Sequence, residues 1–199
     1  MYPPKHHQDY NPENIKEVAK IYPFATIISA KDNTPFITHA PLIFHREKLV
    51  GHIDRNNPHI GLLNEKYPVV AVFQGPQTYI SPSIYTSKQL PTWNYIISNA
   101  TGIAREIKDP AAIKESMVIM TEYLEAPNNN FELSMNDPRM DRLVPYIYCF
   151  EIEVKHWEGK FKLSQDKVPT DIENAKKALI ENNQKNIESF VNQLFEKHF

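Results

Sequence analysis

The sequence predicts a mainly β protein with peripheral helices, a small β-barrel closed by a C-terminal helical tail. Three observations predict it. Runs rich in β-branched and aromatic residues recur at short intervals, with two-residue turn signals between them. Pro68–Phe73 is an almost unbroken apolar run, as a well-buried strand requires. The β character stops near Thr170, where a helical pattern takes over. Turns this closely spaced favour a barrel over strand–helix–strand units, which need a crossover helix between strands.

The elements follow in order. Asn11 and Pro12 predict an N-cap and first helical residue, and Ile15, Val18, Ala19 and Tyr22 then fall on one helical face. Strands are expected over Phe24–Ala30, Phe36–His45 and Lys48–Asp54, joined by turns at Asp32-Asn33 and Arg46-Glu47. Asn57 and Pro58 open a short helix. Pro68–Phe73 reads as a strand buried on both faces and ended by Gln74-Gly75-Pro76; Asn94–Ile107 reads as another strand. Asp109-Pro110 starts a helix with Ile113, Met117, Met120 and Leu124 inward, and Asn128–Arg142 reads as an irregular excursion. In the strand Tyr146–Trp157, residues Tyr146, Tyr148, Phe150, Ile152 and Val154 share one parity, and Glu158-Gly159 should turn the chain into Lys160–Leu163. Thr170 and Glu173 have capping-box spacing, and Ile187, Phe190, Val191, Leu194 and Phe195 form an apolar stripe. The expected division is a barrel over residues 1–168 and a helical extension over 169–199, packed on the barrel or on a partner subunit.

Composition narrows the function. The 199 residues are 41% hydrophobic and 23% charged with a net charge of -2, so no electrostatic footprint for nucleic acid is visible. The single cysteine, Cys149, excludes an internal disulfide and suits a reducing compartment. No secretory leader pattern and no apolar run of membrane length is present, and a cytoplasmic location is expected. Five glycines form no nucleotide-binding loop, no nucleophile elbow occurs, and no histidine interval matches a metal-ligand motif; His6-His7 reads as a chance pair.

Polar and aromatic clusters stand at the predicted strand ends. Gly51–Leu63 carries His52, Arg55 and Asn56 immediately before a capped helix start, a place for an anion such as a phosphate. Thr38-His39-Ala40-Pro41 interrupts an apolar strand with two hydrogen-bonding side chains. Pro91-Thr92-Trp93-Asn94-Tyr95 and Lys162-Leu163-Ser164-Gln165 add a Trp, a Tyr, two amides and a cation. Together these residues suit a flat aromatic ligand with a phosphate, closer to a mononucleotide than a dinucleotide.

Five segments, in order, resemble the PaiB family: Thr38-His39-Ala40-Pro41; Gly51-His52 with Arg55 and Asn56-Asn57-Pro58; Phe73-Gln-Gly-Pro continuing to Tyr79-Ile-Ser-Pro82; Pro91–Tyr95; and Lys162–Gln165. These are FMN-binding negative transcriptional regulators of bacteria, related in fold to pyridoxamine-phosphate oxidase. The resemblance runs from the N-terminus to about Leu179. It implies an FMN-binding split β-barrel that forms a homodimer, with FMN between the subunits. It also implies phosphate contacts from His52, Arg55 and Asn56, and a strand with Thr38, His39, Ala40 and Pro41 beside the isoalloxazine. Trp93, Asn94, Tyr95, Lys162 and Gln165 complete the implied site. Two positions depart from the family pattern: Ile84 stands where Trp is frequent and Asp166 where Asn is usual. Asn182–Phe199 matches no pattern.

The regulator reading stands first. Direct DNA binding has no support from charge. The competing reading is a flavin-dependent oxidoreductase of the pyridoxamine-phosphate-oxidase class acting on a small molecule, with His39 or His52 as proton donor. No substrate, electron donor or DNA target is legible.

Overall fold

A computed structural model describes residues 4–183; the predicted apolar stripe from Ile187 to Phe195 lies outside them. Eight strands form one sheet: β1 (Gln8–Asp9), β2 (Phe24–Lys31), β3 (Thr34–Pro41), β4 (Ile43–His45), β5 (Lys48–Asp54), β6 (Pro68–Ile80), β7 (Thr92–Ile107) and β8 (Ile147–Lys162). The helices are α1 (Pro12–Ile21), α2 (Pro110–Glu125), α3 (Pro138–Leu143) and α4 (Pro169–Asn183). The residues gather into two compact units. Among the described residues, a barrel unit holds Asp9–Gly75 and Ile97–Gly159, and a smaller unit holds 4–8, Pro76–Ile96 and 160–183. Strands β6, β7 and β8 contribute residues to both.

The strand order is β3-β2-β6-β7-β8-β5-β4, with β1 pairing β8. The two ends of this order, β3 and β4, are consecutive in the chain and separated by Leu42 alone. The sheet of the barrel unit is therefore rolled into a barrel. The expected single strand from Phe36 to His45 is split at this point. Leu42 is fully buried and its amide donates to the Pro23 carbonyl at 2.8 Å. Both predicted two-residue turns are present, with Asp32, Asn33, Arg46 and Glu47 all at positive φ, the signature of tight hairpins.

The register sorts side chains by parity. Ala25, Ile27 and Ser29 of β2 face the interior, opposite Ala40, Thr38 and Phe36 of β3, and Phe73 and Ala71 of β6 complete the rows. Leu49, Gly51 and Ile53 of β5 lie opposite Ile152, Phe150 and Tyr148 of β8 on the same interior side. The other face of β5 and β8 is covered by α2. Val50, Cys149 and Ile113 form a buried cluster there, and the Ser116 hydroxyl lies 3.1 Å from the Cys149 thiol. Burial pushes that thiol's pKa up, so Cys149 is a core residue rather than a nucleophile.

Several expectations need correction. Val70 and Val72 are only half-buried, so β6 is covered on one face. Neither Gln74-Gly75-Pro76 nor Glu158-Gly159 is a turn; β6 and β8 run straight through both. Those are the points where each strand passes from one unit to the other. Gly159 is required by packing, since a Cβ there would stand 2.7 Å from Ile15 of α1. On α2 the buried face is Ile113, Ser116 and Met120, whereas Leu124 is 49% exposed. Tyr22 closes α1 as its C-cap and is exposed, and the excursion after Asn128 includes α3, whose Met140 is buried.

In the smaller unit α4 begins at Pro169, so Thr170 is not its cap. The first-turn carboxylate of Asp171, fully inaccessible, accepts from the Thr86 amide at 2.6 Å and from the Thr86 and Ser87 hydroxyls at 2.8 and 2.7 Å. These bonds hold its pKa below the usual carboxylate range. Asn174 donates to the Ile84 carbonyl at 2.8 Å, so α4 fixes the segment after β6 at two points.

A Cβ on Gly102 would run into the Glu153 carbonyl oxygen, a backbone atom that cannot rotate away. Gly102→Ala is expected to cost about 3 kcal/mol in urea unfolding, an overpacking penalty. Gly61→Ala, with open space around it, should cost well under 1 kcal/mol by the same measurement, as exposed substitutions do.

Candidate functional site

The turn after β5 is built as the sequence indicates, with a different consequence. The Asn57 side chain caps the following residues, accepting from the His59 amide at 2.9 Å, but only a four-residue 3-10 turn, Pro58–Gly61, follows. The neighbouring amides are already used. Arg55 N–H donates to the Tyr146 carbonyl, Asn56 N–H to Asp54 Oδ1 at 2.7 Å, and Asn57 N–H to the Asp54 carbonyl. No helix dipole and no free amide cradle is present in this turn, so recognition of an anion falls to side chains. Arg55 is the principal one. Its Nη2 donates to the Ile147 carbonyl at 2.8 Å, its Nη1 meets Glu106 at 3.2 Å, and its guanidinium lies 5.7 Å from the Tyr148 ring centre. Asn56 beside it is exposed.

Thr38 ties this turn to β3. It faces inward, and its Oγ1 accepts from Asn57 Nδ2 at 3.2 Å and lies 3.0 Å from His59 Nδ1. His59 is fully buried and its Nε2 has no partner. Thr38 is thus a fastening rather than a free site residue, and Ala40, two residues on, is plain core. Burial lowers the pKa of His59 and of His52, so both rings are neutral at pH 7. His52 lies opposite Cys149, and its buried Nδ1 is also without a partner.

His39 and Pro41 fall on the opposite, outward parity. Across β3, β2 and β6 the register places Ile37, His39 and Pro41 beside Ile28, Thr26 and Phe24, and then Val70 and Val72. Phe24 is 64% and Ile37 56% exposed, and the His39 and Phe24 rings stack with centres 6.3 Å apart. This broad apolar face has one ionisable side chain among those residues, His39. At its edge a cavity of about 550 Å³ is lined by Ile21, Tyr22, Pro23, Phe24, Pro41, Gln74 and Leu124. The sequence reading named Gln74 only within its Phe73–Pro82 motif and did not place Phe24 or Leu124 at a site. The parity of β2 gives Phe24 away, because it stands out of phase with buried Ala25 and Ile27.

The remaining candidates belong to the smaller unit. Asn94 is buried and exchanges bonds with Ser164, which also pairs with the Tyr85 hydroxyl at 2.8 Å, so this amide is committed to the fold. Trp93 is half-exposed and donates to Gln77 at 3.1 Å, with Tyr79 beside it. Tyr95 carries Lys160 over its ring. Gln165 folds back on its own turn, bonding the Phe161 carbonyl and the Leu163 amide. Lys162 donates to Thr92 Oγ1 at 2.5 Å and opens onto a cavity of its own.

The comparisons agree with this architecture. The sequence profile of the family described as "Putative FMN-binding domain" matches residues 1–156. The chain is 28% identical, over 87% of its length and 86% of the relative's, to the Protease synthase and sporulation protein PAI 2 of Bacillus subtilis. The FAD and heme binding protein of Mycobacterium smegmatis superposes with a TM-score of 0.65 at 16% identity, covering 84% of this chain and 79% of that one. The flavocytochrome Anf3 of Azotobacter vinelandii gives 0.64 at 13%, covering 81% and 72%. At such identities the last two establish the fold, a split β-barrel.

Thr38→Val removes the hydroxyl shared by Asn57 and His59 and should cost about 2 kcal/mol in urea unfolding, since buried polar atoms lose their partner. The buried histidines set a pH dependence. Their folded pKa lies below the unfolded value of 6.5, so the unfolded chain takes up protons first. Stability is expected to be level above pH 6.5 and to fall as pH drops from there, and His59→Gln should flatten the fall.

Proposed function

The chain belongs to the FMN-binding domain family, and we propose that it holds FMN on the outward face of the barrel unit. The carrying observation is that face itself: a wide apolar surface from Ile37 to Phe24, with His39 and Gln74 as its polar points and a 550 Å³ cavity at its edge. A flat ring system fits such a surface, because it buries both apolar area and a few directed polar bonds. Arg55 is the residue to hold the phosphate, with exposed Asn56 beside it. His52 contributes a buried, unpartnered ring nitrogen. When bound, the flavin supplies the redox chemistry; the chain binds and orients it.

Two further readings rest on this one. A second copy of the chain is the natural cover for a face left this open, which is how a homodimer with FMN between its subunits would arise. The resemblance of its sequence motifs to the PaiB family carries the reading of a negative transcriptional regulator. With a net charge of -2, direct DNA binding has no support from charge, and in this reading control runs indirectly, through a partner or a metabolite. The oxidoreductase alternative is favoured by one feature, the exposed His39 as the ionisable group on the flavin face. Anaerobic bleaching of bound flavin by NADH or NADPH, lost in His39→Asn, would establish it. A flavin that stays oxidised under both donors supports the regulator.

Arg55→Ala is expected to weaken FMN binding at least about tenfold in a fluorescence-quench titration, the loss of a charge-assisted pair. Glu106 competes with the phosphate for the same guanidinium, so Glu106→Gln should tighten FMN by about two- to fivefold, the scale of a half-exposed ion pair.

A further inference from the structure

We propose that the smaller unit carries a second binding site, for a small oxyanion attached to a short apolar group, centred on Lys162. The cavity there has a volume of about 330 Å³ and is lined by His6, His7, Leu90, Pro91, Thr92, Lys162, Asp166 and Lys167, among others. Its two ammonium groups differ in kind. Lys167 is neutralised by Asp166, 2.7 Å away. Lys162 is half-buried, donates to the neutral Thr92 hydroxyl at 2.5 Å, and has no carboxylate partner among the described residues. A cation set into a wall without a counter-charge is costly unless something supplies one. Two N–H bonds of Lys162 remain for an acceptor once Thr92 has taken the first.

The imidazoles add to this. His6 and His7 lie edge to face with ring centres 4.1 Å apart on the same cavity. Burial first, then the charges of His6, Lys162 and Lys160, lowers the pKa of His7, while Asp166 raises it slightly. The site thus repels further protons while empty, and an oxyanion would reverse that. Among the described residues no group of three or more histidines, cysteines or carboxylates is placed to hold a metal ion. The opposite wall, Leu90 and Pro91, is hydrocarbon, and Leu90 is 83% exposed. That wall gives a short apolar substituent somewhere to lie. The volume is near the lower end for ligand pockets, the scale of a small ligand. The residue in the family's Asn position, Asp166, pairs with Lys167 and so leaves Lys162 as the sole unneutralised lysine of the cavity.

The test uses the full chain, with and without FMN, titrated with butanoate and separately with inorganic phosphate while backbone amide signals are followed by NMR. Saturable shifts at Thr92, Lys162 and Lys167 are expected. Lys162→Gln should weaken binding at least about tenfold and Lys162→Arg should retain it within about threefold, the behaviour of a charge-assisted hydrogen bond. Butanoate stays singly charged near neutral pH, so its binding should tighten as the pH falls toward the lowered pKa of His7. A preference for one anion identifies the carboxylate or the phosphate class. The proposal is overturned by the absence of saturation with both anions, or by equal affinity in Lys162→Gln. It is also overturned if FMN displaces the anion competitively, because the pocket would then be the flavin's own phosphate seat. Flavin titration of Lys162→Gln separates the two sites: unchanged FMN affinity leaves the flavin reading intact whatever the anion result.

Discussion

The bend at Leu42 is the constraint on which the barrel unit depends. One stretch of chain supplies both ends of the strand order, β3 before the bend and β4 after it, so the chain itself joins the two edges of the sheet. The bend is held by a buried leucine and by its amide on the Pro23 carbonyl. It also needs room. A Cβ on Gly51 would lie 2.4 Å from the Leu42 side chain and 3.0 Å from the Pro41 carbonyl oxygen. A strand-interior glycine is normally a loss, and here close approach of backbone explains it. Closure then fixes parity: with Ala40 and Thr38 inside, His39 and Pro41 have no alternative but the outside. The inward residue fastens the turn carrying Arg55, and the outward residue is free for a ligand.

Much of this was legible in the sequence, for local reasons. The turns at Asp32-Asn33 and Arg46-Glu47 were readable because two-residue hairpins require positive φ and these residues tolerate it. The N-caps Asn11, Asn57 and Asp109 were readable because each precedes a proline that suits the first helical position. The failures are tertiary. Gly75-Pro76 and Glu158-Gly159 carry every local mark of a turn, yet β6 and β8 pass through them because the strands span two units. Leu124 has helical spacing with Met117 and Met120, but the neighbours that decide its burial lie far away in sequence. At the site, the sequence shows residue types but not which of their hydrogen bonds are already used. Thr38 and Asn94 are polar residues at suggestive positions whose hydrogen bonds are spent inside the fold, and no pattern in the sequence distinguishes a spent hydroxyl from a free one.

The two cations singled out by the sequence, Arg55 and Lys162, show why charge must be counted locally. Arg55 is met by Glu106 and a backbone carbonyl, so an incoming phosphate gains only what it offers beyond those partners. Such a site is tunable, because the resident carboxylate sets a threshold the ligand has to exceed. Lys162 donates to a hydroxyl and, among the described residues, meets no carboxylate. Net charge gives no hint of either arrangement. A chain at -2 overall accommodates both a guarded guanidinium and an unguarded ammonium.

The outward face links cofactor and assembly. Single exposed apolar residues are ordinary on a protein surface, but Phe24 and Ile37 continue through half-buried Ile28, Val70 and Val72 into one surface. A flavin and a second copy of the chain, both placed on this face, would cover parts of the same apolar area. Each then completes the surface the other binds, and linkage makes the effect reciprocal: flavin strengthens the dimer by the factor by which dimerisation strengthens flavin. The redox state of the flavin changes its charge and hydrogen bonding, and so changes that factor. A regulator built this way needs no basic surface and no DNA-reading helix of its own. In the proposed reading its output would be the population of the assembled form. The slightly acidic composition, which argues against direct contact with DNA, is compatible with that kind of control.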